Sequence, residues 1–291
     1  MSDRKWARLV MRTIRTEIDK TLRSPVTVMM VIAVAAVCML SEAYMDADAH
    51  QETVLSLLAG YNTELFVSDV SLNRIEIWRL GFGTWSYILL PLLLTGAYVH
   101  ALSEERLHGG TQFYLIREGR TSYCISRTIS AMVSGGVILL AGYLLYGLIV
   151  VIAFPGLSAY PAESAAFYLE QMGISAIVPY ILFRCLWVFI YGMMISIFGY
   201  LVAVLFTEKY ILLCFPMMLS YAYSSFYARI ESRLLEQERW DLQEKFQIFN
   251  MSNMINGFEI KSRFFTFAYL LALYLCCMIL FLVVMKRKEV R

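Results

Sequence analysis

The chain has 291 residues, a formal net charge of +2 and a mean hydropathy of +0.61, with 59% hydrophobic and 16% charged residues. Soluble domains are nearer to half apolar and a quarter charged. One water-facing core cannot bury this excess of apolar side chains, so the composition excludes an ordinary soluble domain and predicts an integral membrane protein.

The first 25 residues predict a cytoplasmic amphipathic helix. Apolar side chains recur at helical spacing, with Arg and Lys between them, at Trp6, Leu9, Val10, Ile14, Ile18 and Leu22. This pattern is typical of a helix in the inner membrane interface, with its basic face near anionic headgroups. A soluble helix that caps other cytoplasmic segments is the alternative.

Six apolar stretches follow, and each approaches or exceeds the roughly 20 helical residues that a bilayer crossing requires. They lie at about 26–44, 83–103, 128–154, 175–206, 210–227 and 264–285. The runs are continuously apolar rather than alternating, which predicts helices and not barrel strands. We therefore expect an all-α polytopic membrane protein with a six-helix transmembrane domain over 26–285.

The basic residues predict the orientation. Seven Lys and Arg lie before the first span and four in the loop after the second, whereas about 155–174 has none. The positive-inside rule then places both termini, including the tail 286–291, in the cytoplasm of what we expect to be a bacterial cell. The loop 228–263 becomes extracellular, with a charged helix over about 229–247 as a solvated cap. Losing the fifth span, which contains Pro216, would move this loop inside.

The cytoplasmic loop 104–127 has the chemistry of a docking element. Gly109-Gly110 breaks the helix that leaves the membrane, and residues 113–116 are apolar. These apolar side chains could fill a partner's groove while Arg117 and Arg120 pair with acids at its rim.

This loop resembles that of the type-2 ABC exporter permeases. That family has Glu-Arg or Glu-Lys, then Gly-Thr, a Leu-rich turn, and a small-Arg pair leading into the third span. The corresponding residues here are Glu105-Arg106, Gly110-Thr111, Leu115-Ile116, Gly119-Arg120 and Ser126-Arg127. The six spans and the N-terminal helix also fit, so the resemblance covers most of the chain. The family often has Pro in the turn where this chain has Arg117-Glu118-Gly119.

The resemblance implies a permease subunit of an ATP-driven exporter, paired with a second permease, identical or related, and with two copies of an ATP-binding subunit. The loop would form the cytoplasmic coupling helix that docks on the ATPase. The residues implied in coupling are Glu105, Arg106, Gly110, Thr111, Leu115, Arg117 and Arg120. The cargo would be a hydrophobic or amphipathic peptide, lipid or drug.

The sequence itself has no GxxxxGK[ST] phosphate loop, so ATP and Mg would bind to the partner. We expect no enzyme activity in this chain, and no catalytic residue, cofactor, metal or nucleic-acid site.

Two rival functions belong to other classes. Glu104-Glu105 resembles the paired glutamates of intramembrane CAAX-type proteases, but Arg106 follows at once and no histidine lies beyond His108. A non-transporting scaffold or sensor subunit is the other rival. His100, Glu104 and His108 share a helical face, yet the spacing is not H-E-x-x-H, and a water-facing helix end explains them more simply.

Arg184 is the only basic residue well inside a predicted span. A charge at mid-membrane costs a few kcal/mol, so Arg184 should face protein or a water-filled cavity. It is either a pathway or subunit-interface residue, or a buried structural partner of a carbonyl or hydroxyl such as that of Tyr180. Glycines on the third and fourth spans allow close helix approach, within the chain or between permeases.

Overall fold

The computed structural model describes residues 3–45, 51–60, 69–83, 86–107, 119–174, 176–206, 208–250, 254–255 and 260–288. The fold is predominantly helical, with one small hairpin of strands β1 (Glu42–Met45) and β2 (Gln51–Thr53). In chain order the helices are α1 (Asp3–Leu22), α2 (Pro25–Met39), α3 (Val54–Ala59), α4 (Arg74–Arg79), α5 (Ser86–Leu107), α6 (Arg120–Ala153), α7 (Ala162–Gln171), α8 (Ile177–Leu205), α9 (Lys209–Glu236), α10 (Trp240–Phe246) and α11 (Ile260–Lys288).

Four helices in the described part of the chain are long and apolar enough to cross a membrane, namely α6, α8, α9 and α11. A fifth crossing results if α1 and α2, which meet at a bend of 66°, count as one broken span. The apolar part of α5, Ser86–Gly96, is shorter than this criterion requires. The chain is therefore an all-α protein with four to five candidate spans, and six crossings stay a prediction.

The first predicted span is wrong at its C-terminal end. Helix α2 has 15 residues, which is about 22 Å at 1.5 Å per residue. It stops before the polar Ser41-Glu42 pair, where β1 begins. The Ser41 hydroxyl donates to the carbonyl of Gly81 over 2.7 Å, which fastens this turn to the segment that precedes α5.

Helix α6 lies at the centre of the bundle, where it packs on α1, α2 and α8, while α8 also packs on α5 and α11. Glycines permit the closest approach. A Cβ built at Gly192 of α8 would lie 2.9 Å from the carbonyl oxygen of Gly135 on α6, and one at Gly199 would overlap Thr95 of α5. These two glycines of span four are therefore used in packing within the chain.

The bundle has two different ends. At the α1 end, helix α1 lies beside the first turns of α6. The hairpin end holds β1, β2, α4 and the start of α5. The hydroxyl oxygens of Ser86 and Ser41 lie 3.2 Å apart there, within hydrogen-bond distance. Because α6 runs the length of the bundle, it connects the two ends.

The segment after α9 does more than cap the bundle. Helix α9 extends to Glu236, the predicted charged helix is broken at residues 237–239, and the exposed α10 follows. Residues 254–255 then return into the core, where Ile255 is fully buried. The prediction of a single helix over about 229–247 is therefore wrong, because residues 237–239 break it, although most of that stretch is exposed as expected. The later part of the loop, residues 254–255, is packed inside the hairpin end instead of capping it.

Candidate functional site

The predicted coupling residues fall around the junction of α5 and α6. Glu105 and Arg106 belong to the last turn of α5, and Arg120 is the first residue of α6. The side-chain contacts of these three lie outside the described part of the structure. Four further predicted residues lie wholly outside the described residues: Gly110, Thr111, Leu115 and Arg117.

A buried ion pair lies next to this junction and joins α1 to α6. The guanidinium of Arg127 donates through Nη1 to the carboxylate of Glu17, and both side chains are almost fully buried. The Arg127 guanidinium also lies 5.4 Å from the ring centre of Tyr123. An isolated charge would be costly at this depth, so each partner makes burial of the other tolerable.

The local sequence explains why α1 presents Glu17 to α6. Val10, Ile14, Glu17 and Thr21 follow the i, i+4, i+7, i+11 spacing of one helical face, and Val10 and Thr21 are buried with Glu17. An acid on the otherwise apolar face of a basic helix is the signal that could have predicted this pair. The sequence interpretation used Arg127 only for orientation and for the family motif, and it missed Glu17.

Helix α1 ends in a defined bend beside this pair. Ser24 caps α2 by accepting the backbone N–H of Val26 over 3.3 Å, and Pro25 occupies the first turn of α2. Serine before proline is a common helix start. The Thr27 hydroxyl donates to the carbonyl of Thr21 over 2.6 Å across the bend. These contacts thus fix the angle between α1 and α2.

Arg184 occupies the hairpin end and is only 2% exposed. Its Nη2 donates to the Arg79 carbonyl over 3.1 Å, its Nη1 to the Ile255 carbonyl over 3.4 Å, and its Nε to the Tyr143 hydroxyl over 3.3 Å. One side chain therefore joins α8 to α4, to α6 and to residues 254–255. These contacts are with carbonyls and a hydroxyl, while the buried Tyr180 hydroxyl has no hydrogen bond within the described residues.

Aromatic rings surround the Arg184 guanidinium. Tyr143 stacks between Trp78 and Phe82, with ring centres 4.8 Å and 4.6 Å away. The guanidinium carbon lies 5.7 Å from the Phe82 ring centre and 5.8 Å from that of Tyr143, within cation–π range. The Tyr143 hydroxyl donates to the Trp78 carbonyl over 2.8 Å.

A second ion pair stabilises α4 close by. Arg79 pairs with Glu76 one turn earlier, and the Tyr168 hydroxyl of α7 donates to the same carboxylate. Burial raises the pKa of Tyr168 above its ordinary value, and the hydrogen bond and negative charge of Glu76 raise it further. Tyr168 therefore keeps its proton and acts as a donor that ties α7 to α4.

A mostly apolar cavity of about 310 Å³ lies among α5, α8, α9 and α11. Its wall includes Pro91 and Pro216, which lie inside the continuous helices α5 and α9, together with the polar side chain of Ser220. The residues that line it are Pro91, Ile195, Leu201, Val202, Phe206, Phe215, Pro216, Leu219, Ser220, Tyr223 and Tyr269. An apolar chain or ring system fits such a cavity better than a charged solute does.

Comparison of the sequence with models of known protein families found no match, and comparison with curated proteins found no significant similarity.

Proposed function

We propose that this chain is the membrane-spanning permease subunit of an ATP-driven exporter, with the ATP site in a separate subunit. In this proposal the chain crosses the plasma membrane six times. The α1 end faces the cytoplasm, where the loop between α5 and α6 docks on the ATPase, and the hairpin end faces outward. Two permease chains and two ATP-binding subunits make one complex.

The observation that carries the proposal is the buried Glu17–Arg127 pair. It fastens α1 to the first turns of α6, directly after the loop whose residues resemble an ATPase-docking motif. A force applied to that loop would therefore move α1 and α6 together. Coupling by displacement requires such a connection between the docking loop and the spans.

The cavity among α5, α8, α9 and α11 supports a hydrophobic or amphipathic cargo. The prolines at its wall remove backbone hydrogen bonds from α5 and α9, which makes these helices suitable places for bending during transport. Every described residue that lines the cavity lacks a formal charge. The apolar part of a peptide, lipid or drug would occupy this space.

The docking step is tested by co-expressing this chain with a candidate ATP-binding subunit of the exporter class and purifying the complex. Leu115→Asp combined with Arg120→Glu is expected to abolish the complex and the permease-dependent change in ATP hydrolysis. Arg229→Glu, a charge reversal on the exposed face of α9, is the control and should leave both unchanged. Intact assembly and coupling in the double variant would refute the docking proposal.

Cargo passage is tested by narrowing the cavity. Leu219→Trp places an indole in the cavity wall, whereas Met218→Trp adds the same ring at a neighbouring, more exposed position outside that wall. In vesicles that contain the complex, export of a fluorescent amphipathic peptide should fall several-fold in the first variant only. Equal export by both variants would show that this cavity is not on the path.

A further inference from the structure

The hairpin end carries a second cavity, a groove of about 600 Å³ between α4, the last turns of α6 and the first turns of α8. It is separate from the cavity proposed for the cargo, because the two share no lining residue. Its walls combine apolar side chains with two nitrogen donors that have no hydrogen-bond partner among the described residues.

The first donor belongs to Arg74. Its Nε is buried without a hydrogen-bond partner, and the side chain forms no ion pair within the described part of the chain. Arg79, the other basic residue of α4, is paired with Glu76 and so cannot be the partner of an external anion. The positive charge of Arg74 is left to be neutralised by something that enters the groove.

The second donor is the indole N–H of Trp78. The residue is 8% exposed, and its ring is held against Tyr143. Its Nε1 is buried and has no hydrogen-bond partner in the part of the chain that the structure describes. Indole nitrogen is a donor only, so an acceptor is required. Leaving a buried donor unpaired is costly, and a bound acceptor would remove that cost.

Two glycines make room for these donors. A Cβ at Gly156 would come within 3.1 Å of the Arg74 guanidinium carbon, and one at Gly147 within 2.6 Å of Trp78 Nε1. Both glycines line the groove. The guanidinium and the indole are therefore seated against bare backbone on the groove wall.

The apolar part of the groove is continuous with the surface that a bilayer would cover. Leu144, Leu148 and Val151 of α6 and Ile181 of α8 line it, and all four are substantially exposed. Neighbouring side chains outside the groove, such as Ile152 and Leu182, are exposed and apolar as well. A ligand here would need an anionic acceptor group and an acyl chain.

We infer that this groove binds one anionic phospholipid of the surrounding leaflet. The phosphate accepts from the Arg74 guanidinium and the Trp78 indole, and an acyl chain lies along Leu144, Leu148 and Val151. Charge complementarity selects an anionic headgroup, because a choline headgroup would bring a second positive charge to Arg74. Tryptophan and arginine also suit the depth of lipid phosphates.

The test is a lipid titration of the full-length protein in mild detergent, with bound lipid counted by native mass spectrometry. Wild-type protein should retain one phosphatidylglycerol in preference to phosphatidylcholine. Arg74→Gln should weaken this first binding event about tenfold, the loss expected for one charge-assisted hydrogen bond. Arg229→Gln, an exposed basic residue of α9, is the matched control and should bind as wild type does.

Two variants that each add a tryptophan ring, one inside the groove and one outside it, keep the test decisive if Arg74→Gln folds poorly. Leu148→Trp narrows the groove, whereas Ile152→Trp adds the same ring one turn away outside it. Only the former should lose phosphatidylglycerol. Equal losses in Arg74→Gln and Arg229→Gln, or unchanged binding in Leu148→Trp, would overturn the inference. Competition by inorganic phosphate together with unchanged Leu148→Trp binding would likewise overturn it, in favour of a free-anion site.

Discussion

The two ends of the bundle each bury an arginine, and they neutralise it in different ways. Arg127 at the α1 end meets the carboxylate of Glu17, whereas Arg184 at the hairpin end donates to two backbone carbonyls and a tyrosine hydroxyl. The carboxylate that neutralises Arg127 belongs to a single side chain on a single helix, α1. Carbonyls belong to the backbone of separate segments, so Arg184 requires those segments to be in place together.

The difference indicates how each end responds to movement. At the α1 end the Glu17–Arg127 ion pair connects one side chain of α1 to one side chain of α6, and both partners can travel as one unit. At the hairpin end Arg184 joins α4, α6, α8 and residues 254–255, so displacement of any one of them breaks a hydrogen bond. The hairpin end is thus the more constrained of the two.

The largest expected effect comes from breaking the ion pair. Arg127→Leu leaves the carboxylate of Glu17 buried without its partner, which should lower the free energy of unfolding by about 4 kcal/mol. Glu17→Leu combined with Arg127→Leu should lose much less, since no charge remains buried. Thermal unfolding of the two purified variants measures both losses of stability. A double variant that is no more stable than Arg127→Leu alone would contradict the pairing.

The next effect concerns the hairpin end. Arg184→Leu leaves the carbonyls of Arg79 and Ile255 without this donor and should cost about 3 kcal/mol. Arg184→Lys keeps the charge but cannot reproduce the fork of nitrogen donors, so it should recover only part of the loss. The same unfolding assay applies, with exposed Arg229→Leu as control. Full stability in Arg184→Leu would contradict the joining role.

A smaller effect tests how α7 is tied to α4. Tyr168→Phe removes the hydroxyl that donates to Glu76 and should cost about 1 kcal/mol near neutral pH. The folded-state pKa of Tyr168 is raised above its ordinary value of 10.0. The contribution of this hydroxyl is therefore fully present below pH 10 and falls above it, as the unfolded chain loses the proton first.

The measurement for Tyr168 is the free energy of unfolding from pH 8 to 11 in both proteins. Wild-type stability should fall more steeply above about pH 10 than that of Tyr168→Phe. Parallel curves would show that the hydroxyl has the same proton affinity in the folded and unfolded chains.

The smallest effect is a gain. Glu238 has a φ of +53° at the break between α9 and α10, where glycine is better suited. Glu238→Gly should leave stability unchanged or raise it by up to about 0.5 kcal/mol, while Glu236→Gly, in the last helical turn of α9, should lower it. A larger loss at position 238 than at 236 would show that the Glu238 side chain has a role of its own.

Continuous apolar runs predicted the long helices, because such a run is a local signal in the sequence. The sequence did not predict the hairpin, α3, α4 or α7, since these short elements depend on contacts with distant residues. For example, the backbone N–H of Arg74 donates to the Pro155 carbonyl over 3.0 Å. The need for polar partners around Arg184 was predictable from the cost of burying a charge. Their identity was not, because Ile255 lies 71 residues away.

The same limit applies to the coupling region. The loop motif is a local pattern and could be recognised from sequence, whereas the pair next to it joins residues 110 positions apart. Arg127 belongs to the recognisable loop motif, whereas the only sequence signal for Glu17 is its position on the apolar face of α1. Coupling roles for Glu105, Arg106 and Arg120 stay predictions, as do those of the four residues in the loop itself.

The separation of Glu17 and Arg127 has a consequence for biosynthesis. Ribosomes add about 5 to 20 residues per second, so a nascent chain completes α1 several seconds or more before Arg127 has been made. During that interval the Glu17 carboxylate has no Arg127 to neutralise it, and a charged carboxylate is more stable in water than in an apolar environment. Helix α1 therefore cannot complete this buried contact until the start of α6 has been synthesised.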